Sequence, residues 1–130
     1  MTLTGKIQSF SVPWPPAPLS PNSTAKLREK IKAKRAFREA VWAALLEQKV
    51  RKMADERITI EYTFFPPTAH AHDDDNLIGR MKYGRDQIAR QIGVDDKVFR
   101  TAEPVIMPSQ GKPGRVQVTL RPVDVRGVVT

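Results

Sequence analysis

The sequence contains no cysteine. That excludes a disulfide framework and any thiolate-bound zinc, and it fits a reducing cytoplasm, which is the expected location. No apolar run approaches the ~20 residues that a membrane-spanning helix needs, so no membrane partner is expected. The opening residues lack the charged-then-apolar order of a secretory signal. No internal repeat is apparent. The only histidines are His70 and His72; with no third to complete a site, they are expected to line a mobile loop. Neither glycine nor proline occurs over residues 24–52, so nothing there interrupts a helix.

What is present is charge of one dominant sign. The chain has 130 residues and a formal net charge of +8, with a sequence pI of about 10.1. The length suits a single domain over 1–130, with residues 122–130 expected as a frayed tail. A basic chain that also carries a local acidic cluster points to a polyanionic partner and a metal site. A basic surface kept for solubility is the plainer alternative.

Residues 6–12 (KIQSFSV) read as a strand because β-formers dominate, although neither face is cleanly apolar. Prolines 13, 15, 16 and 18 around Trp14 then form a stiff extended exit. Its expected role is a bend that packs Trp14. Residues 24–52 read as a long helix that starts from Ser23 or Thr24 as N-cap. Leu27, Ile31, Phe37, Val41, Ala44 and Leu45 mark its apolar face. Trp42 and Leu46 lie off that stripe and are candidates for a dimer contact. The helix carries ten basic residues against Glu29, Glu39 and Glu47, and seven of the ten fall within 26–38. Such crowding favours contact with phosphates. Residues 57–65 (RITIEYTFF) alternate as a half-buried strand. Beyond the acidic stretch, residues 97–107 read as an extended strand interrupted near Pro104. A turn over 108–114 and a last strand over 115–120 follow, and the two strands make an expected hairpin.

The chain is organised around residues 70–96. Asp73, Asp74 and Asp75 open this stretch, and Asp95 and Asp96 close it. Between them Leu77, Met81, Gly84, Ile88 and Ile92 recur at helical spacing, which predicts one helix over 76–92. Asp74 or Asp75 stands at its N-cap and Gly93 at its C-cap. Each acidic group alone reads as a cap or a turn. If the turn after Gly93 folds back, the two groups approach, and clustered carboxylates repel unless a cation joins them. All-oxygen donors suit Mg²⁺ or Mn²⁺. An EF-hand is excluded: counted from Asp74, Ile78 takes a ligand position and Arg85 replaces the bidentate glutamate.

The order of these features resembles the RusA-like Holliday junction resolvases of bacteria and their phages. The likeness rests on a first strand running into PWPP (Pro13, Trp14, Pro15, Pro16), then a basic helix and a strand. Next come D-x-D-N (Asp73, Asp75, Asn76), a lysine with an aspartate four residues on (Lys82, Asp86), and the pair Asp95 and Asp96. It spans most of the chain. The resemblance implies an α+β fold: a small mixed sheet, a long basic helix and a second helix after the DxDN loop. It also implies a homodimeric, Mg²⁺-dependent crossover junction endodeoxyribonuclease that resolves four-way DNA by symmetric nicks, here phage or prophage derived. Carried onto matching positions, the catalytic residues are Asp73, Asp75, Lys82 and Asp96, with metal on Asp73, Asp75 and Asp96. DNA contacts are expected from Lys26, Arg28, Lys30, Lys34, Arg38 and Arg80. Asp74 is expected as a cap or auxiliary ligand, and Asp86 as an i,i+4 partner of Lys82.

Two departures stand out. The family's lysine comes sooner after DxDN, where this chain has Gly79; Lys82 lies three residues later, and Arg80 is its rival. APLSPNS replaces the asparagine-rich basic segment after PWPP. The competing functional readings are a non-catalytic basic DNA-binding module and a nuclease for other branched or flap DNA.

Overall fold

Strand β2 (Ile58–Phe65) sets the architecture. Its alternation is realised in full: Ile58, Ile60, Tyr62 and Phe64 are buried, while the residues between them are half-exposed. The computed structural model describes residues 6–69, 72 and 74–123. Asp73, His70 and the expected tail beyond 123 lie outside the described residues. Five strands form one mixed sheet in the order β1-β5-β2, with β3 and β4 both on the far edge of β2. Helices cover one face. The chain is thus an α+β protein, as the pattern predicts. Among the described residues no helix is long and apolar enough to cross a membrane.

β1 (Gln8–Pro13) buries Phe10 and Val12. The sheet's other face is polar, which explains why the first strand has no clean stripe. There Ser9 Oγ lies 3.1 Å from Thr119 Oγ1, and Ser11 Oγ donates to Gln117 Oε1 at 2.8 Å. The free edge of β1 is closed by one side chain. Gln48 accepts from Ser11 N–H (2.8 Å) and donates to Ser11 O (2.7 Å), which blunts an edge otherwise open to another strand.

α1 (Leu27–Glu47) is shorter at both ends than the expected 24–52. Ser23 Oγ accepts from Ala25 N–H at 3.1 Å, so it closes a turn before the helix instead of capping it. At the other end Lys49 takes a left-handed conformation (φ 55°), and Val50 N–H donates to Leu45 O at 3.0 Å. That bond closes the last turn without a glycine. Phe37, Val41 and Leu45 pack into the core, but Leu27 and Ile31 are 73% and 50% exposed. The expected apolar face therefore splits, because the first turns of α1 face the proline loop across an open groove and not the sheet.

The single helix expected over 76–92 is two: α2 (Asp74–Arg80) and α3 (Lys82–Ile92). At the junction Met81 N–H is shared between Leu77 O (3.2 Å) and Ile78 O (3.1 Å), and Arg85 N–H reaches Met81 O (2.8 Å). The run bends without losing its ladder. Leu77, Met81, Ile88 and Ile92 all remain fully buried, so the periodicity is right although the helix is not continuous. Gly84 permits the crossing of α3 on α1, since a Cβ there would lie 2.8 Å from Phe37 Cε2. Gly93 ends α3 with φ 83°.

The expected C-terminal hairpin is not formed. β3 (Phe99–Thr101) and β4 (Val105–Ile106) run parallel to β2 along its outer edge, interrupted around Pro104. β5 (Arg115–Pro122) instead inserts between β1 and β2, antiparallel to both. Its Val116, Val118 and Leu120 are completely buried, and only a central position covers such a stripe while pairing both edges.

Candidate functional site

The site grows from the end of β2, where residues 66–69 lead toward the acidic start of α2. Three local structures carry the expected residues: a buried joint and an open groove close to it, and an acidic turn before β3, whose Phe99 pairs with Ile58 at the other end of β2.

The joint is made by the proline segment. Trp14 packs edge-on against Phe64 (centroids 5.9 Å apart, 82°) and against His72 (5.4 Å, 64°). Prolines remove donors, and the carbonyl of buried Pro15 finds its partner in a side chain. Arg80 Nε and Nη2 donate to Pro15 O at 3.1 and 2.5 Å, and the guanidinium carbon lies 5.6 Å from the Trp14 ring centroid. Arg80 is only 7% exposed, and burial lowers its pKa from the ordinary arginine value. A second tie joins Ser20 Oγ to Asn76 Oδ1. The start of α2, with exposed Asp74 and Asp75 in its first turn, is thereby fixed to the proline loop. Carboxylates there also sit at the favourable end of the helix dipole.

On the other side of that loop lies a groove of about 430 Å³. Lys30 and Lys34 of α1 and Lys82 of α3 border it, facing Pro18 and Pro21. Three cations gather around Tyr83: Lys34 Nζ at 4.6 Å from the ring centroid, Arg38 Cζ at 5.4 Å and Lys82 Nζ at 5.7 Å. The ring's negative faces attract cations, so Tyr83 orders charges that would otherwise repel. Asp86 pairs with Arg38 at 3.8 Å, not with Lys82 as expected, because α1 packs against α3 and brings Arg38 beside it, while Lys82 turns to the Tyr83 ring. Gly79 borders the same groove and abuts Pro21, where a Cβ would come within 2.8 Å of Cδ. No lysine fits there. Lys82, nearly one helical turn on, has the room.

The acidic turn follows α3. Asp95 Oδ1 accepts from Lys97 N–H at 2.9 Å. That bond chiefly holds the Asp95 carboxyl below its ordinary range. Asp96 begins a 3-10 turn and is exposed. Arg85 ties the turn to α3 by donating to the main-chain oxygens of Asp96 (3.4 Å) and Phe99 (3.1 Å). Beneath it, burial pushes the Tyr62 phenol far above its usual pKa.

Asp75 and Asp96 are exposed carboxylates, the donor type that hard divalent cations take. Among the described residues no three histidine, aspartate or glutamate side chains group closely enough to hold a metal ion. Asp73, the third expected ligand, lies outside those residues.

No family model matches the chain. Over 123 residues it is 32% identical to an "Uncharacterized protein" of Xylella fastidiosa (strain Temecula1 / ATCC 700964), covering 88% of this chain and 76% of that protein. The chain belongs to that protein's family. Membership extends over most of the fold and is not confined to one motif.

In this member of the family the structure brings Lys30, Lys34, Arg38 and Lys82 together, and it leaves Lys26 and Arg28 exposed at the start of α1. Arg80 is not among them. Expected as a DNA contact and as the rival of Lys82, it is a buried strut, because the uncapped Pro15 carbonyl needs its donors. Tyr83 and Ser20 escaped the sequence reading. The cations around Tyr83 include two from α1, more than forty residues away, and no local pattern announces such a contact.

Proposed function

We propose that the protein is a divalent-metal-dependent endonuclease of RusA-like fold that acts on four-way DNA junctions. One juxtaposition supports this most: the acidic start of α2 and the cationic groove flank the same proline loop, tied through Ser20 to Asn76. A polyanion seated on Lys30, Lys34 and Lys82 would run past the carboxylates. The order of the chain agrees, with a strand entering PWPP, a basic helix, a strand and an acidic helix start. Asp75, joined by Asp73, would hold one or two Mg²⁺ ions, with Mn²⁺ as a substitute; Asp96, which precedes β3 at the start of β2, would join them on a movement of that turn. When bound, such ions supply an activated water and stabilise charge on the phosphate oxygens.

The chain's own residues do the rest. Lys82 offsets negative charge that develops on a non-bridging oxygen. Lys26, Arg28, Lys30, Lys34 and Arg38 hold the arms by phosphate contacts. The Arg80–Pro15 and Ser20–Asn76 ties keep the start of α2 from drifting relative to the groove. Asp95 caps the turn that carries Asp96. Paired nicks need two sites, so the working form is a homodimer; the exposed Trp42 and Leu46 of α1 are its candidate contact.

The test is a nicking assay on a synthetic four-way junction with Mg²⁺, and linear duplex as control. Asp75→Asn and Asp96→Asn should each lower cutting by at least about a hundredfold, with folding and gel-shift binding retained. Full activity in both variants would refute the carboxylate site. Binding without any wild-type cutting would leave a non-catalytic module. Sedimentation should show a dimer, and a strict monomer with and without junction would remove the paired-site arrangement.

A further inference from the structure

The groove between the proline loop and α1 combines two chemistries. The face of α1 that lines it interleaves aliphatic and cationic side chains. Leu27 and Ile31, 73% and 50% exposed, line the groove with Pro18 and Pro21. Lys30 and Lys34 stand beside them on α1 and Lys82 comes from α3, and among the described residues no acidic side chain lines the groove. Its volume of about 430 Å³ falls within the ~300–1,000 Å³ of small-ligand sites.

Such a surface matches an unstacked nucleotide better than it matches paired DNA. A duplex offers phosphates at its rim but keeps its bases stacked, and would leave Leu27 and Ile31 facing water. A base turned out of its stack offers a flat, weakly polar face for Leu27 and Ile31, while its own phosphate reaches the lysines. The faces of Tyr83 are already occupied by cations, so the ring sets the lysines and leaves base contact to the aliphatic side chains.

We propose that this groove holds one unpaired nucleotide of a DNA strand, its base against Leu27 and Ile31 and its phosphate against Lys30, Lys34 and Lys82. This rests on the nucleic-acid reading above and names the feature of branched DNA that the protein grips: a nucleotide freed from stacking at the branch point. Because Lys82 borders the groove, holding that nucleotide also sets which phosphate lies next to the acidic helix start.

The experiment uses the full chain in EDTA, so no cutting contributes. Fluorescence anisotropy compares a labelled dT12 single strand with a labelled 12-bp duplex, for wild type and for Leu27→Ser/Ile31→Ser. Both positions are exposed, and a thermal melt checks that the variant folds as wild type does. The expected result is a loss of about fivefold to tenfold in single-strand affinity, with duplex affinity within twofold and an unchanged salt slope for both. Equal losses on both DNAs, or none on either, would overturn the proposal. So would an unchanged single-strand affinity together with lost binding to phosphatidylglycerol vesicles, which would make the groove a lipid site. This assay contains no junction and no metal. A protein that grips single strands through Leu27 and Ile31 but never cuts junctions would refute the nuclease reading alone, and a junction nuclease indifferent to both residues would refute the groove alone.

Discussion

Arg80 and Lys82 stand two residues apart, on either side of the bend at Met81, and they serve two different regions. Arg80 turns inward to the joint, where it is spent on Pro15 O and the Trp14 ring. Lys82 turns outward to the groove, where it shares Tyr83 with Lys34 and Arg38. The joint is aromatic and buries a cation against a carbonyl, whereas the groove is open to solvent and carries unbalanced positive charge. A cation's role here follows from which side of a bend it leaves by, not from its charge or its place in the motif. The joint holds the acidic helix start in place; the groove is free to meet a ligand.

The sharpest way to break this comparison is to remove both side chains in turn. Arg80→Ala strips a buried carbonyl of its charged donors and Trp14 of its cation. It should cost about 3 kcal/mol and lower Tm by roughly 10 °C. Lys82→Ala should move stability by less than about 0.5 kcal/mol while reducing junction cutting at least about tenfold. Thermal melts and nicking rates measure both. Equal melting temperatures for the two variants would erase the distinction between strut and ligand contact.

Charge reversal in the groove and its rim tests the open region. Lys30→Glu/Lys34→Glu/Arg38→Glu should weaken junction binding by roughly a hundredfold near physiological salt. It should also flatten log affinity against log salt by about 2.7, at ~0.9 for each phosphate that is no longer neutralised. Breaking the half-exposed Arg38–Asp86 pair changes stability little. An unchanged slope would mean that the basic face of α1 is merely solvated.

Gly84→Ala tests whether the distance between α1 and α3 matters to either region. A methyl there meets the Phe37 ring, and overpacking outweighs the gain in helix propensity. The expected cost is about 1–2 kcal/mol by denaturant melts. A stabilised variant would show that α3 moves easily against α1, and that the Tyr83 cluster is not held rigidly.

The smallest effect belongs to Asp95. Its folded-state pKa is depressed, chiefly by the Lys97 N–H. The group therefore contributes stability above its unfolded value near ~3.9, and that contribution is lost as pH falls through the lower folded value. Asp95→Ala should melt slightly below wild type at neutral pH, and the gap should close in acid. A gap that widens in acid would mean that another group carries the turn.

Much of the fold was legible in the residues. The alternation of Ile58, Ile60, Tyr62 and Phe64 announced the half-buried strand, and Leu77, Met81, Ile88 and Ile92 announced the inward stripe of α2 and α3. Gly93 marked where that helix ends. The split at Met81 was not legible, because a shared N–H leaves the apolar period intact. Nor was the end of α1 at Glu47: Lys49 adopts a conformation that glycine would have signalled. The absent hairpin has a similar cause. Residues 105–106 and 115–122 are sequence neighbours with strand character, and only competition for the open edges of β1 and β2 decided their pairing.

For the site, the sequence by itself determined which charges exist and how they are grouped: carboxylates around the start of α2 and after α3, lysines and arginines crowded into the first half of α1, and prolines that deny the chain its own hydrogen bonds beside Trp14. Those are properties of composition and short spacing, and folding cannot alter them. Tertiary structure decided which charges meet. It placed Arg80 against Pro15, sixty-five residues away in sequence, gave Asp86 to Arg38 in place of Lys82, and barred position 79 with the Pro21 ring. The physical reason is that a side chain's partner is set by the packing of remote segments, and the energy of a charge depends on whether that packing leaves it in water or in the core.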